Sequence, residues 1–174
     1  NRAIEMGLLL TLPAAAALMV LATPIIHVLF ERGAFTAADT AATAAALMAF
    51  SIGLPAYVLI KVLVPGFFAR EDTATPVKIG IVAMVSNMVM NVAFVLPLLY
   101  LWNIGHLGLA LATSLAAYIF AGLLLRGLLN RGVYRFQPGW GRHGLRLLAA
   151  TAAMCALVWQ LAPPVEQWLA WGWK

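Results

Sequence analysis

Apolar residues in this chain come in runs that no soluble core accommodates. Met6–Phe30, Ala37–Ala69 and Thr75–Tyr100 each carry at most two charged side chains. All three exceed the roughly 20 apolar residues that a bilayer-spanning helix needs. Leu107–Leu125 and Leu147–Leu161 are shorter runs of the same kind. No segment alternates apolar and polar residues over about ten positions, as a barrel strand must. The fold class expected is therefore an all-α integral membrane protein, a polytopic bundle of five transmembrane helices with Pro/Gly kinks. At 64% hydrophobic and 10% charged residues, the composition lies far from the soluble norm. The formal charge of +5 then reflects the bias of Lys and Arg toward cytoplasmic loops, so no nucleic-acid partner is expected. The opening Asn-Arg-Ala-Ile-Glu resembles neither a start nor a signal peptide, and is expected to lie inside a longer protein. The single cysteine, Cys155, sits in an apolar run and is expected to pack rather than react.

Proline and glycine punctuate the runs. Pro13 and Pro24 leave the carbonyls of Leu9 and Val20 without helical donors, and Gly33 is placed to stop the first span. His27 reads as a packed or interfacial imidazole with no titrating partner within a turn or two. Thr36 and Asp39 have the spacing of a capping box, so a helix restarts there. Continued to Ala69, that helix would be roughly 50 Å long against a hydrocarbon core of about 30 Å. It must tilt, begin outside the core or break, and Pro55, Pro65 and Gly66 are where a break, or a hinge, is cheapest. Thr75-Pro76 reads as an N-cap followed by the first helical position. A short hairpin over Trp102–His106 leads to the fourth span. Residues 126–146 are the most basic segment, and Pro163-Pro164 ends the fifth span. The Trp-rich tail, with Trp168, Trp171 and Trp173, reads as an interfacial belt. Residues 1–130 thus hold four spans, and 131–174 a basic segment, an accessory span and the tail. With a cytoplasmic N-terminus, eight of the eleven basic residues fall inside, and only Arg32 and Lys174 outside. The opposite orientation inverts that ratio.

Lys61 stands out. Nine residues from Arg70, it is about 13 Å of helix into the membrane. An ammonium there costs about 2.5–3.5 kcal/mol on insertion scales, so it calls for a wet cavity, a partner or an anionic ligand. Snorkelling to the cytoplasmic head groups is the alternative. No carboxylate is placed in sequence to pair with it. Asn87 and Asn91, four residues apart on one helix face, and Thr113 on the next span offer oxygens suited to a sodium ion. The same side chains also suit hydrogen bonds between helices. The basic segment with Tyr134, Phe136 and Trp140 fits either anionic head groups or a plain topological determinant. No zinc-protease, serine-hydrolase or phosphate-loop motif is present, so a transporter is expected rather than an enzyme.

Two stretches carry a family resemblance: Leu29-Phe-Glu-Arg-Gly-Ala-Phe-Thr36, and Tyr57-Val-Leu-Ile-Lys61-Val-Leu-Val-Pro65-Gly-Phe-Phe-Ala-Arg70-Glu-Asp-Thr-Ala-Thr-Pro-Val-Lys78. With Gln137-Pro-Gly-Trp140, they resemble the MurJ (MviN) family of bacterial lipid II flippases, within the multidrug/oligosaccharidyl-lipid/polysaccharide exporter superfamily. The resemblance implies a two-lobed transporter of fourteen helices in the bacterial inner membrane, with this chain as helices nine to thirteen. It implies a cationic cavity for a pyrophosphate-linked lipid, lipid II, carried outward by alternating access for peptidoglycan synthesis. The partners implied are that lipid, the membrane lipids and an N-terminal lobe. Lys61 matches the motif lysine and Arg70 is a second, weaker substrate contact. The arginines credited with most head-group binding lie on helices outside this chain. No cofactor is implied beyond coupling to a sodium ion or to the membrane potential. Some relatives pair an Asn with an Asp at the ion site, and here Asn91 stands where the acid would be. A drug or polysaccharide-lipid exporter of the same superfamily, or a non-transport membrane scaffold, are the alternatives.

Overall fold

The computed structural model describes residues 2–31, 33–102, 104–134 and 140–161. The expected first span is two helices, α1 (Arg2–Val20) and α2 (Ala22–Phe30), with Leu21 between them. Pro24 offers no N–H to the carbonyl of Val20, and the break falls at the next residue. Pro13 leaves α1 unbroken. Gly33 takes a left-handed φ of 63° in the turn that follows α2, a conformation cheap only for glycine.

Helix α3 (Ala37–Phe68) begins on the expected capping box: the Asp39 N–H donates to Thr36 Oγ1 and the Thr36 N–H to Asp39 Oδ2. Its 32 residues span about 48 Å. Of the three ways to accommodate that length, a break is not the one used, because the helix runs through Pro55, Pro65 and Gly66. Near Pro55, α5 (Gly105–Asn130) contacts the α3 backbone directly. Ser114 Oγ donates to the Ala49 carbonyl at 2.7 Å, and Tyr118 Oη to the Ile52 carbonyl at 2.8 Å. These hydroxyls hold the backbone on the N-terminal side of Pro55, whose own position is buried.

Helix α4 spans Ala74–Trp102. Its cap differs from expectation. Asp72 Oδ1, not Thr75, is the acceptor, taking the Thr75 N–H at 3.0 Å. A carboxylate is the stronger acceptor for a part-buried helix-start amide. The Thr75 hydroxyl is held instead by Arg131 Nη2 at 2.8 Å. Helix α6 spans Trp140–Leu161 and starts seven residues before the expected Leu147, so part of the basic segment is helical. Residues 135–139 and the Trp-rich tail lie outside the described residues.

The helices form a row in the order α6, α1, α3, α5, α4, with α2 lying on α3. Small residues let α3 and α5 approach closely: Ala56, Ala117 and Ala121 form one buried cluster. Gly108 lies against the backbone of Phe94, where a Cβ would come within 3.0 Å of its carbonyl carbon, closing the α4–α5 hairpin. A larger cluster of Ile4, Leu63, Phe67, Leu124 and Leu128 ties α1, α3 and α5 together at their basic end. Among the described residues, five helices are long and apolar enough to cross a membrane. Helix α4 buries little of its surface within this segment.

Candidate substrate groove

Helices α3 and α4 scarcely touch; both pack on α5. Between them opens a groove of about 450 Å³, floored by α5. Lys61, Tyr57 and Ile60 line it from α3, Gly80, Ala83, Met84 and Asn87 from α4, and Thr113, Ala116, Ala117 and Phe120 from α5. The hairpin thus brings Lys61, Asn87 and Thr113, proposed for two separate roles, to one opening. Lys61 is exposed there, and among the described residues no carboxylate pairs with it. The packing leaves this ammonium free for a ligand.

Asn87 Oδ1 is buried and accepts no hydrogen bond among the described residues; the same holds for Asn91 Oδ1, one turn further along α4. An unsatisfied buried acceptor costs about 1–3 kcal/mol, so such atoms await a partner. Thr113 Oγ1 donates to the Leu109 carbonyl at 2.8 Å and keeps acceptor capacity. These oxygens fit a sodium ion by ligand type but bring no charge to it. Asn91 does not line the Lys61 groove. Neither does Arg70, which is exposed in the turn after α3. Of the three hinge candidates, Pro55 is buried, Pro65 is exposed, and Gly66 faces Leu128 with room for a Cβ at 3.4 Å.

Two polar clusters frame the groove from the ends of the helices. At the basic end, Arg131 pairs with Asp72 and sits 5.6 Å above the Phe67 ring. Hydrogen bonds from Thr75 and Arg131 hold the Asp72 carboxyl down to about 2. At the other end, Glu31 Oε2 is 2.7 Å from His27 Nδ1 and accepts from Thr40 Oγ1 at 2.6 Å. Glu31 is therefore the titrating partner that His27 was expected to lack. The i,i+4 spacing was readable, since those side chains share one helix face. The Thr40 and His27 hydrogen bonds lower the Glu31 pKa. Ser114 follows Thr113 in the sequence. It turns instead toward α3, because adjacent helical residues point about 100° apart. Of the aromatic walls, Tyr57 entered the sequence reading only as the first residue of the family motif, and Phe120 was not singled out, since nothing distinguishes it from other core aromatics.

Comparison with known proteins completes the description. A family model described as lipid II flippase MurJ matches residues 1–171. A probable lipid II flippase MurJ of Vibrio cholerae is 46% identical over 170 residues, 97% of this chain and 31% of that protein. A lipid II flippase MurJ of Burkholderia cenocepacia is 41% identical, over 86% of this chain and 28% of that protein. A solved structure of lipid II flippase MurJ in an inward closed conformation superposes with a TM-score of 0.80 at 28% identity. It covers 98% of this chain and 34% of that one. The chain thus spans about a third of the length of the proteins it matches.

Proposed function

Since the chain belongs to the MurJ lipid II flippase family, we propose that it forms part of a transporter that moves a pyrophosphate-linked lipid across the bacterial inner membrane by alternating access. The observation that carries this reading is Lys61: an unpaired ammonium, well inside a membrane span, opening into a groove it shares with Asn87 and Thr113. A pyrophosphate brings the charge that the groove lacks, and charge-assisted hydrogen bonds to phosphate oxygens are the strong ones. The remaining lobe of the full protein closes the groove over the head group. Lys61 then supplies one of several cationic contacts, with Arg70 meeting the head group only as it enters.

The N-terminus of this segment faces the cytoplasm in this proposal, which puts the Asp72–Arg131 cluster inside and the Glu31 cluster outside. Residues 1–130 belong to the transporting lobe and 131–174 to an accessory part. Bending of α3 at Pro55 or at Pro65-Gly66 moves Lys61 relative to α5. The driving force is the membrane potential, about 2.3 kcal/mol per charge per 100 mV. A sodium ion held by Asn87, Asn91 and Thr113 would add to it.

The test is translocation by the full-length protein reconstituted in vesicles. Lys61→Ala is expected to abolish movement of the pyrophosphate lipid while membrane insertion is unchanged, and Lys61→Arg to retain part of it. Translocation at the parental rate by Lys61→Ala would remove this residue from the mechanism.

A further inference from the structure

Helices α3 and α5 end in the same bonding pattern, but on different residues. After α5, the Gly132 N–H donates to the Leu129 carbonyl at 3.0 Å and the Val133 N–H to that of Leu128 at 3.1 Å. Gly132 holds the left-handed position of that pattern, at φ 66°. After α3, the Glu71 N–H donates to the Phe68 carbonyl at 2.9 Å and the Asp72 N–H to that of Phe67 at 3.2 Å. The left-handed position here falls to Glu71, at φ 56°. Glycine is usual there, because a Cβ makes the conformation costly. Among the described residues, Glu71 is the one non-glycine at positive φ. A strained residue of this kind persists where its surroundings over-determine it.

The side chain that fixes this turn comes from α5. Arg131 directs Nη1 to Asp72 Oδ2 and donates from Nη2 to Thr75 Oγ1 at 2.8 Å. Its guanidinium carbon lies 5.6 Å from the centre of the Phe67 ring. Phe67 is buried against Gly127, where a Cβ would come within 3.1 Å of the ring. One planar group thus touches the last turn of α3, the connecting turn and the first turn of α4. An exposed ion pair taken alone adds little stability, so the geometry of the fork matters more than its strength. Lys61 stands within two turns of Phe67, and Gly80 within two turns of Thr75; both line the groove. Because α3 and α4 scarcely touch, their spacing at this end of the groove is set through α5.

We propose that Arg131 is a positioning residue for transport: it clamps the strained turn between α3 and α4 and so sets the width of the Lys61 groove. The inference rests on the transport reading of that groove given above. With the clamp lost, the turn leaves its left-handed conformation and α4 shifts on α5. Lys61 and the α4 wall then no longer face one head group at a fixed spacing.

The test uses the full-length protein in vesicles and reads two quantities. One is the distance between spin labels on Phe68→Cys and Ile81→Cys, both exposed positions, in a background without other cysteines. The other is the kinetics of pyrophosphate-lipid translocation. Arg131→Gln is expected to broaden the distance distribution and to raise KM about three- to tenfold, the reciprocal of the fraction of molecules that keep the groove width. The kcat is expected to stay near the parental value. Arg131→Lys keeps the charge but loses the fork, and should fall between. Glu71→Gly relieves the backbone strain, so in the Arg131→Gln background it should narrow the distribution and restore most of the KM. An unchanged distribution in Arg131→Gln overturns the proposal. So does a lower kcat at parental KM, the mark of protein lost to misfolding, or a Glu71→Gly that restores neither quantity. Should Arg131→Gln fail to insert, Thr75→Val and Asp72→Asn each remove one arm of the clamp; smaller shifts in the same direction support it, and parental values for both overturn it. If the parent protein moves no pyrophosphate lipid, the transport reading fails, while the distances still decide whether Arg131 sets the groove.

Discussion

Gly53 offers the sharpest test of how α3 is held. A Cβ at this position would lie 2.7 Å from Ser114 Oγ, 2.9 Å from Tyr57 Cε2 and 3.0 Å from Ser114 Cβ. None of these distances is compatible with a real methyl group, so Gly53→Ala must displace Ser114. That hydroxyl is buried and donates to the Ala49 carbonyl. Losing the bond removes about 1 kcal/mol, and leaving the hydroxyl without a partner adds about 1–3 kcal/mol. The better helix propensity of alanine returns about 1 kcal/mol. The net expectation is a destabilisation of about 2 kcal/mol, read as reversible unfolding of the full-length protein in mixed detergent. Ser114→Gly in the same background clears both serine contacts and is expected to recover part of the loss, a coupling of at least about 1 kcal/mol. Gly53→Ala at or above parental stability, or simple additivity with Ser114→Gly, would refute the close α3–α5 contact. Since Tyr57 also lines the Lys61 groove, the same substitution is expected to slow transport.

Three further outcomes follow from other contacts. Asp72 has a folded-state value of about 2 against an ordinary 3.8, so its contribution is complete above about pH 4 and is lost as pH falls through 2. The stability gap between the parent and Asp72→Asn should therefore be flat at neutral pH and close between about pH 4 and 2; a gap that persists to pH 2 contradicts the Asp72–Arg131–Thr75 cluster. Thr40→Val should speed amide exchange across α2, because Thr40 links Glu31 to α3; unchanged exchange would show that the apolar contacts of Ala22, Ile26 and Ala44 suffice. Asn91→Leu should raise stability by about 1–3 kcal/mol in sodium-free buffer by removing an unsatisfied buried oxygen. Adding sodium should stabilise the parent relative to this variant if Asn91 helps hold the ion; no sodium response in either protein rules that role out.

The parts of the fold legible in the sequence are those decided locally. Run length gave the spans, and the Thr36–Asp39 pair forms the expected capping box, because both depend on residues within one turn. The break at Leu21 follows from Pro24, yet Pro13, Pro55, Pro65 and Pro97 interrupt nothing. At Pro55 the hydroxyls that steady the neighbouring carbonyls lie more than sixty residues away, on α5. The Asp72–Arg131 pair is equally non-local, so the cap of α4 was misassigned to Thr75. Lys61 was conspicuous for its cost in a membrane. That it shares an opening with Asn87 and Thr113 needed the register of the α4–α5 hairpin, which the Gly108 contact fixes and periodicity does not.

Amine reactivity at position 61 puts the groove itself on trial. Full-length protein in membranes would be treated with a water-soluble acylating reagent and the lysines read by peptide mass spectrometry. Lys78, exposed at the start of α4, serves as the internal reference. Lys61 should be modified, and adding the pyrophosphate lipid should suppress its labelling several-fold while Lys78 labelling stays constant. A Lys61 that stays unmodified while Lys78 reacts, or that reacts equally with and without the lipid, would contradict a water-filled, anion-binding groove.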